Sequence, residues 1–335
     1  MRSKFPGYFK LPEQTVTGLW KNGLVVLDAN VLLNFYRYSD DTRSEFVRLL
    51  SAFKTRLWIP HRAAQEFLSN RLEVIGQQEK SYDEAIKTLA GIEDRLKDAR
   101  QHPFIPQAML KRLGGIFSEV SKHLSQQKEA HSNRLSSDPI LAEIETVVSG
   151  RIGEPFSEEE VAKLCKEGGE RFKRKLPPGY KDASKDDEVG DERRFGDLIL
   201  WKQIIHKAKG SKCGVVFVTD DRKEDWWHIF KGNTFGPRPE LVKEFLAESG
   251  QNILMYQPYR FLEASTQYLG ERVKPEAIDE TRERQTIEQD TSQSPPLEDR
   301  QAAIRRHWIE RRKEQQLEMA MRLRYLDELD GRISR

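Results

Sequence analysis

Four short apolar runs, each bounded by turn residues, constrain the fold more than any other feature of the sequence. They are LVVLD from Leu24, RLWIP around Leu57–Ile59, GVVFVTDD from Gly214 and NILMY from Asn252. Such runs, rich in β-branched residues and alternating with helical patterns, are typical of a parallel sheet that helices cover on both faces. We therefore expect an α/β fold in which helices flank a parallel sheet.

Helix signals lie between these runs. The segment TRSEFVRLLSAFK carries its apolar residues on one face, and Pro60 suits the first turn of a helix through HRAAQEFLSNRLEVI. Two further helices are predicted to end at glycines, GDLILWKQIIHKAKG at Gly210 and PRPELVKEFLAESG at Gly250. This alternation of strand and helix is what a parallel sheet requires.

The spacing of the strand signals divides the chain into segments. The long, polar stretch between the second and third runs predicts a helical insertion, because loops of that length are uncommon. Polar residues around Pro295 indicate a flexible linker. We predict an N-terminal extension (1–22), two halves of an α/β domain (23–75 and 191–270), a helical insertion with a basic loop (76–190), a linker (271–300) and a charged C-terminal helix (301–335).

Composition excludes several classes of protein. The formal net charge of the 335 residues is only +2, so any nucleic-acid site has to be local. The two cysteines are too few for a disulfide framework and lack zinc-ligand spacing. The N-terminus lacks the apolar core of a signal peptide, and no apolar run reaches the roughly 20 residues that span a bilayer. We expect a cytoplasmic protein without a membrane segment.

Acidic residues accompany three of the four predicted strands. Asp28 follows the first strand, Glu66 lies in the helix after the second, Asp197 begins the helix before the third, and Asp220 and Asp221 follow that strand. Ligands of open parallel sheets bind at the carboxyl ends of the strands, so these carboxylates are expected at one edge. Crowded carboxylates repel one another and need a cation, and oxygen ligands without His or Cys suit Mg²⁺ or Mn²⁺. Such an ion can activate water against a phosphodiester.

Each acid also has a structural interpretation that the sequence leaves open. Asp28 or Asn30 can cap the following helix, and Glu66 can be a solvated helix residue. The other acids suit a helix N-terminus or a turn: Asp197, Asp220, Asp221 and Asp225. The joint placement of the acids, rather than any one of them, favours a functional site.

Four blocks of the sequence resemble the successive acidic motifs of PIN-domain nucleases. They are VVLDANVLLNFYR, WIPHRAAQEFLSNR, RRFGDLILWKQII and VVFVTDDRKEDWW. The segments LPPGYKDASK and GPRPELVKEF are similar to a bacterial PIN-like branch with a large helical insertion. The resemblance implies a PIN-like, flavodoxin-like sheet, Mg²⁺ or Mn²⁺, and hydrolysis of RNA or sometimes DNA to products with 5′-phosphate and 3′-hydroxyl ends.

The resemblance also implies roles for particular residues. The candidate metal ligands are Asp28, Glu66, Asp197 and Asp221, with Asp220 as an additional carboxylate. Asp225 matches a further acid that precedes an aromatic residue, and it joins the candidate catalytic set. Asn30 and Thr219 match polar residues that orient the acids from behind. We expect the acids to bind one or two ions, in the second case roughly 4 Å apart.

Basic residues near these motifs are candidates for contact with nucleic acid, because an acidic centre alone repels phosphate. The candidates are Lys173, Arg174, Lys175, Tyr180, Lys181, Lys185, Arg193, Arg194 and Lys223. Tyr180 can stack on a base, whereas Trp226 and Trp227 suit a core role. A solvated, charged loop is the structural interpretation of the same run.

Three functions remain open at this point. The first is a metal-dependent nuclease, for which RNA is favoured over DNA as the substrate. Such a nuclease could act in RNA turnover, as a toxin or in bacterial antiviral defence. The second is a PIN-like scaffold that binds nucleic acid or protein without catalysis. The third, a haloacid-dehalogenase-type phosphatase, needs an acid two residues after Asp28, where Asn30 stands. The charged C-terminal helix is a candidate for binding a protein partner or for self-association.

Overall fold

A parallel four-stranded sheet is the centre of the protein in its computed structural model, which describes residues 1–2, 4–98, 105–182 and 191–293. The strands in chain order are β1 (Leu24–Leu27), β2 (Leu57–Trp58), β3 (Val215–Val218), β4 (Trp227–Phe230), β5 (Asn233–Pro237) and β6 (Ile253–Tyr256). The sheet has the order β2-β1-β3-β6, and β4 and β5 form a separate antiparallel hairpin. All four predicted strands form the sheet, which confirms the α/β prediction.

Helices connect the strands and cover the sheet. In chain order they are α1 (Glu13–Asn22), α2 (Ala29–Leu33), α3 (Asp40–Phe53), α4 (His61–Lys97), α5 (Gln107–Asn133), α6 (Pro139–Val148), α7 (Glu158–Lys173), α8 (Asp191–Arg194), α9 (Gly196–Ser211), α10 (Pro239–Ser249), α11 (Pro258–Leu269) and α12 (Pro275–Gln293). None of the described helices is both long and apolar enough to cross a membrane.

Local sequence sets the ends of these helices. The Ser39 hydroxyl accepts a hydrogen bond from the Thr42 amide and so caps α3. Ser157 and Glu160 form a reciprocal capping box at the start of α7. Gly250, with φ +70°, ends α10 in the left-handed conformation that glycine adopts without strain.

The core lies on both faces of the sheet because β1 and β3, the two central strands, are buried along their whole length. Phe217 on β3 lies against Trp226, which in turn meets Trp201 of α9 edge to face. Burying an aliphatic or phenyl side chain of this kind stabilises the fold by roughly 1.5–3 kcal/mol. The sequence interpretation of Trp226 as a core residue agrees with its complete burial.

The predicted helical insertion consists of α5, α6, α7 and most of α4, and it is joined closely to the α/β domain. Helix α4 continues without a break through the predicted boundary at residue 76 and packs against α5. Ile152 pairs with Ile59 just beyond β2, in parallel register. Helix α6 packs on α3, so the insertion contributes to the same structure as the sheet.

Two elements differ from the sequence predictions. The β4–β5 hairpin was not predicted, although Gly232 at its turn, with φ +76°, lies between aromatic segments that are typical of a hairpin. Helix α12 occupies residues for which composition indicates a flexible linker. Its first turns are ordered because Ala277 is buried and the Glu280 carboxylate accepts hydrogen bonds from Ser39 and Thr42.

The chain divides into two compact units, of which the first is Met1–Thr281 and contains the sheet. In the second unit, Arg282–Arg335, the structure describes the end of α12. The predicted charged helix at 301–335 lies outside the described residues.

Candidate active site

The register of β1 against β3 brings two separate acidic segments together. Leu27 is paired with Val218, so the residues that follow, Asp28 and Thr219, are level with each other at the carboxyl ends of the strands. The Asp28 amide donates to the Val218 carbonyl at 3.0 Å, which continues the ladder up to the acid. The predicted meeting of the first and fourth acidic motifs therefore follows directly from strand pairing.

Asp28 caps a helix and also contacts a polar residue of the fourth acidic motif. One carboxylate oxygen accepts from the Ala29 amide at 2.7 Å and so caps α2. The other accepts from the Thr219 hydroxyl at 2.6 Å and from the Asn30 side-chain amide at 2.8 Å. The side-chain carbonyl oxygen of Asn30 in turn accepts a hydrogen bond from the Asp220 backbone amide. Asn30 and Thr219 thus both hold the Asp28 carboxylate, and their role in orienting a metal ligand stays a prediction.

Asp221 lies beside Asp28 and is held by its own turn. Its amide donates to the Thr219 hydroxyl at 3.0 Å, and one of its carboxylate oxygens accepts from the Lys223 amide at 2.8 Å. The Lys223 ammonium contacts the second oxygen of Asp221 at 3.0 Å and Asp182 at 3.1 Å. Lys223 therefore bridges two carboxylates instead of pointing freely into solvent.

Asp197 reaches the same place from the first turn of α9. The Trp226 indole donates to its carboxylate at 3.3 Å. The chain at Gly179, with φ +87°, passes so close that a Cβ atom on that glycine would lie 3.1 Å from the Asp197 Cβ atom. Residues 176–182, which we call the Pro loop, therefore cover Asp197.

Glu66 approaches Asp28 from α4, which packs against both α2 and α9. Its charge is close enough to contribute to raising the pKa of Asp28. Ala63, Ala64 and Phe67 are buried, so the α4 backbone that carries Glu66 is fixed in the core. The predicted acid of the second motif is thus brought to the first.

Asp225 lies beneath the Pro loop. One of its carboxylate oxygens accepts from the backbone amides of Gly179 and Lys181, each at 3.1 Å. The other oxygen is buried and has no hydrogen-bond partner among the residues that the structure describes. Burial is the main cause of a raised pKa for this carboxyl group. Asp225 thus anchors the loop that covers Asp197, a role that its position before Trp226 did not reveal.

Asp220 has different partners from the other acids. Its carboxylate accepts from the Asn34 side-chain amide at 2.6 Å and pairs with Arg222 at 3.3 Å. The Arg37 guanidinium donates a hydrogen bond to the side-chain carbonyl oxygen of Asn34 and extends this network. Both carboxylate oxygens of this predicted extra ligand are therefore engaged by protein groups.

Burial and neighbouring charges raise the pKa values of two of the acids. Burial, with the negative charges of Glu66 and Asp221, raises the pKa of Asp28 from its ordinary value to about 7. Burial also raises the pKa of Asp197 well above the ordinary value; Lys223 opposes this increase, whereas Asp221 adds to it. We call the set Asp28, Glu66, Asp197, Asp221 and Asp225 the acidic edge.

The donor atoms of the acidic edge fit a hard divalent cation. They are carboxylate oxygens, the ligand type that Mg²⁺ and Mn²⁺ prefer. Burial, together with the neighbouring carboxylates, disfavours the charged forms of Asp28 and Asp197, and a bound cation would offset this cost. The Lys223 ammonium already lies beside Asp221 in this cluster. Within the described ranges, however, no three His, Cys, Asp or Glu side chains are arranged closely enough to hold an ion as they stand.

The predicted nucleic-acid contacts fall into two groups. Lys173, Arg174, Lys175 and Arg193 are exposed near the end of α7 and in α8. Of these, Lys173 pairs with Glu170 at 2.7 Å on the surface. In the second group, Lys181 pairs with Glu224 at 2.8 Å, and the Arg194 guanidinium lies over the Phe172 and Phe195 rings. Tyr180 is half-buried, and Lys185 lies outside the described residues.

Two site residues escaped sequence reasoning. Asp182 is brought by the Pro loop to the Lys223 ammonium, and Asn34 holds Asp220. Asp182 is the acid in PPGYKD, and only the tertiary path of the loop reveals its position. Asn34 follows Asn30 by four residues, a helical spacing that could have indicated a position on the same face of the chain.

Comparison with known proteins agrees with this geometry. No protein with a curated description and no solved structure matches the chain significantly. The family model described as a PIN-like domain matches residues 24–241, which include β1, β3, the insertion and the acidic edge. The sheet, the acids at its carboxyl edge and this match lead to one conclusion: the chain belongs to the PIN-like domain family.

Proposed function

We propose that the protein is a metal-dependent nuclease that hydrolyses phosphodiester bonds at the acidic edge. The observation that carries the proposal is the meeting of carboxylates from four separate segments at the carboxyl edge of the sheet, with the pKa of Asp28 raised to about 7. Structural acids rarely need such an arrangement, because capping and salt bridges satisfy each of them separately. Membership of the PIN-like family supports the same conclusion.

Asp28, Glu66, Asp197 and Asp221 would hold one or two ions, and Mg²⁺ and Mn²⁺ suit their oxygens. When bound, a divalent ion supplies a more acidic water and offsets charge on the phosphate. Asn30 and Thr219 fix the orientation of Asp28, and Trp226 fixes that of Asp197. Asp225 keeps the Pro loop over the site and so limits access of bulk water.

The substrate would approach over the exposed cations beside the Pro loop. Lys173 ends α7, Arg174 and Lys175 follow it immediately before the loop, and Arg193 lies a few residues before Asp197. Each contact of a lysine or arginine with a phosphate releases counterions, so these residues would make binding depend on salt. We propose RNA in preference to DNA as the substrate on the basis of the resemblance to PIN-domain nucleases. We propose that the protein acts as a toxin or as an antiviral defence effector.

A PIN-like scaffold that binds without catalysis is the second candidate. The observation in its favour is that no closed set of three metal-binding side chains exists among the described residues. The Lys223 ammonium partly neutralises the acids without any metal, which a scaffold also requires. Metal titration separates the two candidates, because a scaffold has no need to bind a divalent ion.

The test is cleavage of defined RNA and DNA pools by the full chain with Mg²⁺ or Mn²⁺, compared with Asp28→Asn and Asp41→Asn. Asp41 is an exposed carboxylate on α3, so its variant controls for the loss of one negative charge. We expect Asp28→Asn to abolish metal-dependent cleavage and Asp41→Asn to cleave like the wild type. Equal cleavage by wild type and Asp28→Asn, with circular dichroism unchanged, would contradict the nuclease proposal.

A further inference from the structure

The Lys223 ammonium lies among carboxylates of the candidate active site. Its ammonium is 3.0 Å from Asp221 and 3.1 Å from Asp182, and the side chain is more than half buried. Asp197 is near enough to interact with the same charge. Three carboxylates from the Pro loop, α9 and the turn after β3 thus share one cation that the protein itself supplies.

The Lys223 backbone is fixed, although its side chain has the freedom of a four-carbon stem. Its amide donates to the Asp221 carboxylate at 2.8 Å, and its carbonyl accepts from the amides of Trp226 and Trp227. Both tryptophans are buried. The ammonium can therefore change position by rotation of the side chain without movement of the turn.

The backbone segments that carry the carboxylates around Lys223 are fixed. Asp182 belongs to the Pro loop, which the Asp225 carboxylate ties down through the Gly179 and Lys181 amides. Asp221 is held by the Thr219 hydroxyl. A divalent ion that uses Asp221 and Asp197 as ligands would meet the ammonium within the same cluster, where two cations repel each other strongly.

We propose that Lys223 is the resident counter-ion of the acidic edge, that a divalent ion displaces its ammonium, and that the displaced ammonium then contacts a phosphate of the nucleic acid. This inference rests on the proposed function and adds a mechanism by which metal and substrate binding are coupled. Lys223 is a positioning residue here: it lowers metal affinity in the free protein and contributes to substrate affinity once metal is bound. Linkage makes the effect reciprocal, so each ligand strengthens binding of the other.

The first measurement is Mn²⁺ binding by the full chain without nucleic acid, followed through the electron paramagnetic resonance signal of free Mn²⁺. Lys223→Met removes the competing charge, so we expect its Mn²⁺ affinity to be on the order of tenfold higher than that of the wild type. Lys223→Arg, which retains the charge, and Lys128→Met are expected to remain within about twofold. Lys128 pairs with Asp83 at 2.7 Å in the helical insertion and serves as a matched control.

The second measurement is affinity for a labelled RNA by fluorescence anisotropy, with and without Ca²⁺, with the RNA checked for integrity on a gel. We expect Ca²⁺ to increase RNA affinity of the wild type, and the increase to be several-fold smaller for Lys223→Met. Lys223→Gln repeats both measurements with a polar side chain, in case the methionine variant does not fold.

The outcomes separate this inference from the proposed function. Equal or weaker Mn²⁺ binding by folded Lys223→Met and Lys223→Gln would overturn the counter-ion role and leave the nuclease proposal intact. An equal gain of RNA affinity on Ca²⁺ addition in wild type and variants would overturn the coupling. If neither wild type nor variants bind Mn²⁺, the metal-dependent nuclease fails and this inference fails with it.

Discussion

The acidic edge and the helical pair α4–α5 are both rich in charged residues, but the two regions treat charge differently. In the helical pair, Lys128 and Asp83 form a surface salt bridge that water and salt can screen. At the acidic edge, Asp28 and Asp197 lose hydration and face further carboxylates, so their pKa values are raised. Charge that remains poorly compensated, rather than the number of charges, distinguishes the candidate site.

This difference also explains the composition of the chain. Charged residues are 33% of the sequence, and many of those in the described helices lie on solvated surfaces of the kind seen in α4–α5. The few that matter for the proposed chemistry are placed by strand ends, by the helices α4 and α9 and by one loop. A global net charge of +2 therefore conceals a locally acidic centre.

The comparison is tested most severely by replacing one carboxylate in each region. Asp197→Asn keeps the shape of the side chain but removes a charge from the acidic edge, whereas Asp83→Asn removes one from α4. We expect the first to lower the cleavage rate by at least about 10³-fold and the second to leave it within about twofold. The measurement is the rate at which each variant cleaves the same RNA with Mg²⁺. Similar losses of rate in the two variants would contradict the distinction between the acidic edge and the helical pair.

The pH dependence of stability sharpens the same contrast. Because folding raises the pKa of Asp28 from 3.8 to about 7, the folded state favours the protonated carboxyl. The stability from this group is fully present below about pH 4 and is lost as the pH rises through about 7, an effect of up to about 4 kcal/mol. Urea denaturation in EDTA between about pH 4.5 and pH 7.5 should show this loss in the wild type and a smaller one in Asp28→Asn. A pH-independent difference between the two proteins would contradict it.

Two glycines offer a third contrast of intermediate size. Gly179 has φ +87° and lies against Asp197, so Gly179→Ala should destabilise the protein by about 1–3 kcal/mol and reduce cleavage. Gly91 lies within α4, and a Cβ atom added there would have no neighbour within 4 Å. Gly91→Ala should therefore stabilise the protein by about 0.5–1 kcal/mol. Thermal denaturation measures both changes, and the expected result is that they have opposite signs.

The smallest expected effect is at the surface of the insertion. A double-mutant cycle on Asp83 and Lys128 should give a coupling free energy of only about 0.2–1 kcal/mol, because both side chains are exposed and salt screens them. Denaturation in low and high salt measures the coupling. A coupling that is large and independent of salt would mean that the helical pair, too, contains buried electrostatics.

The parts of the fold that could be predicted are those where local pattern and burial agree. The strands around Leu24 and Val215 are apolar along their whole length, and their polar endings mark the sheet edge at Asp28 and Asp221. The placement of Glu66 follows because Pro60 starts a helix directly after β2. These features depend on neighbours in sequence, so one sequence is enough to predict them.

The remaining features depend on contacts between distant segments. Asp182 meets Lys223 only because the Pro loop folds back over α9, and no local pattern encodes that path. Helix α12 begins as an ordered element because Glu280 bonds to Ser39 and Thr42, more than two hundred residues earlier in the chain. Composition correctly describes this segment as polar but cannot reveal the partner that orders it.

The Pro loop has a consequence for how this protein can be altered or can diverge. Since the insertion ends in the loop that carries Gly179 and Asp182, it supplies part of the candidate site and is not a detachable module. Excising residues 76–190 to obtain a minimal nuclease would leave Asp225 with two lost amide donors and Lys223 with one lost partner. Gains and losses of length should therefore be tolerated at the far end of α4 and α5, whereas the return path through residues 176–182 should keep its length.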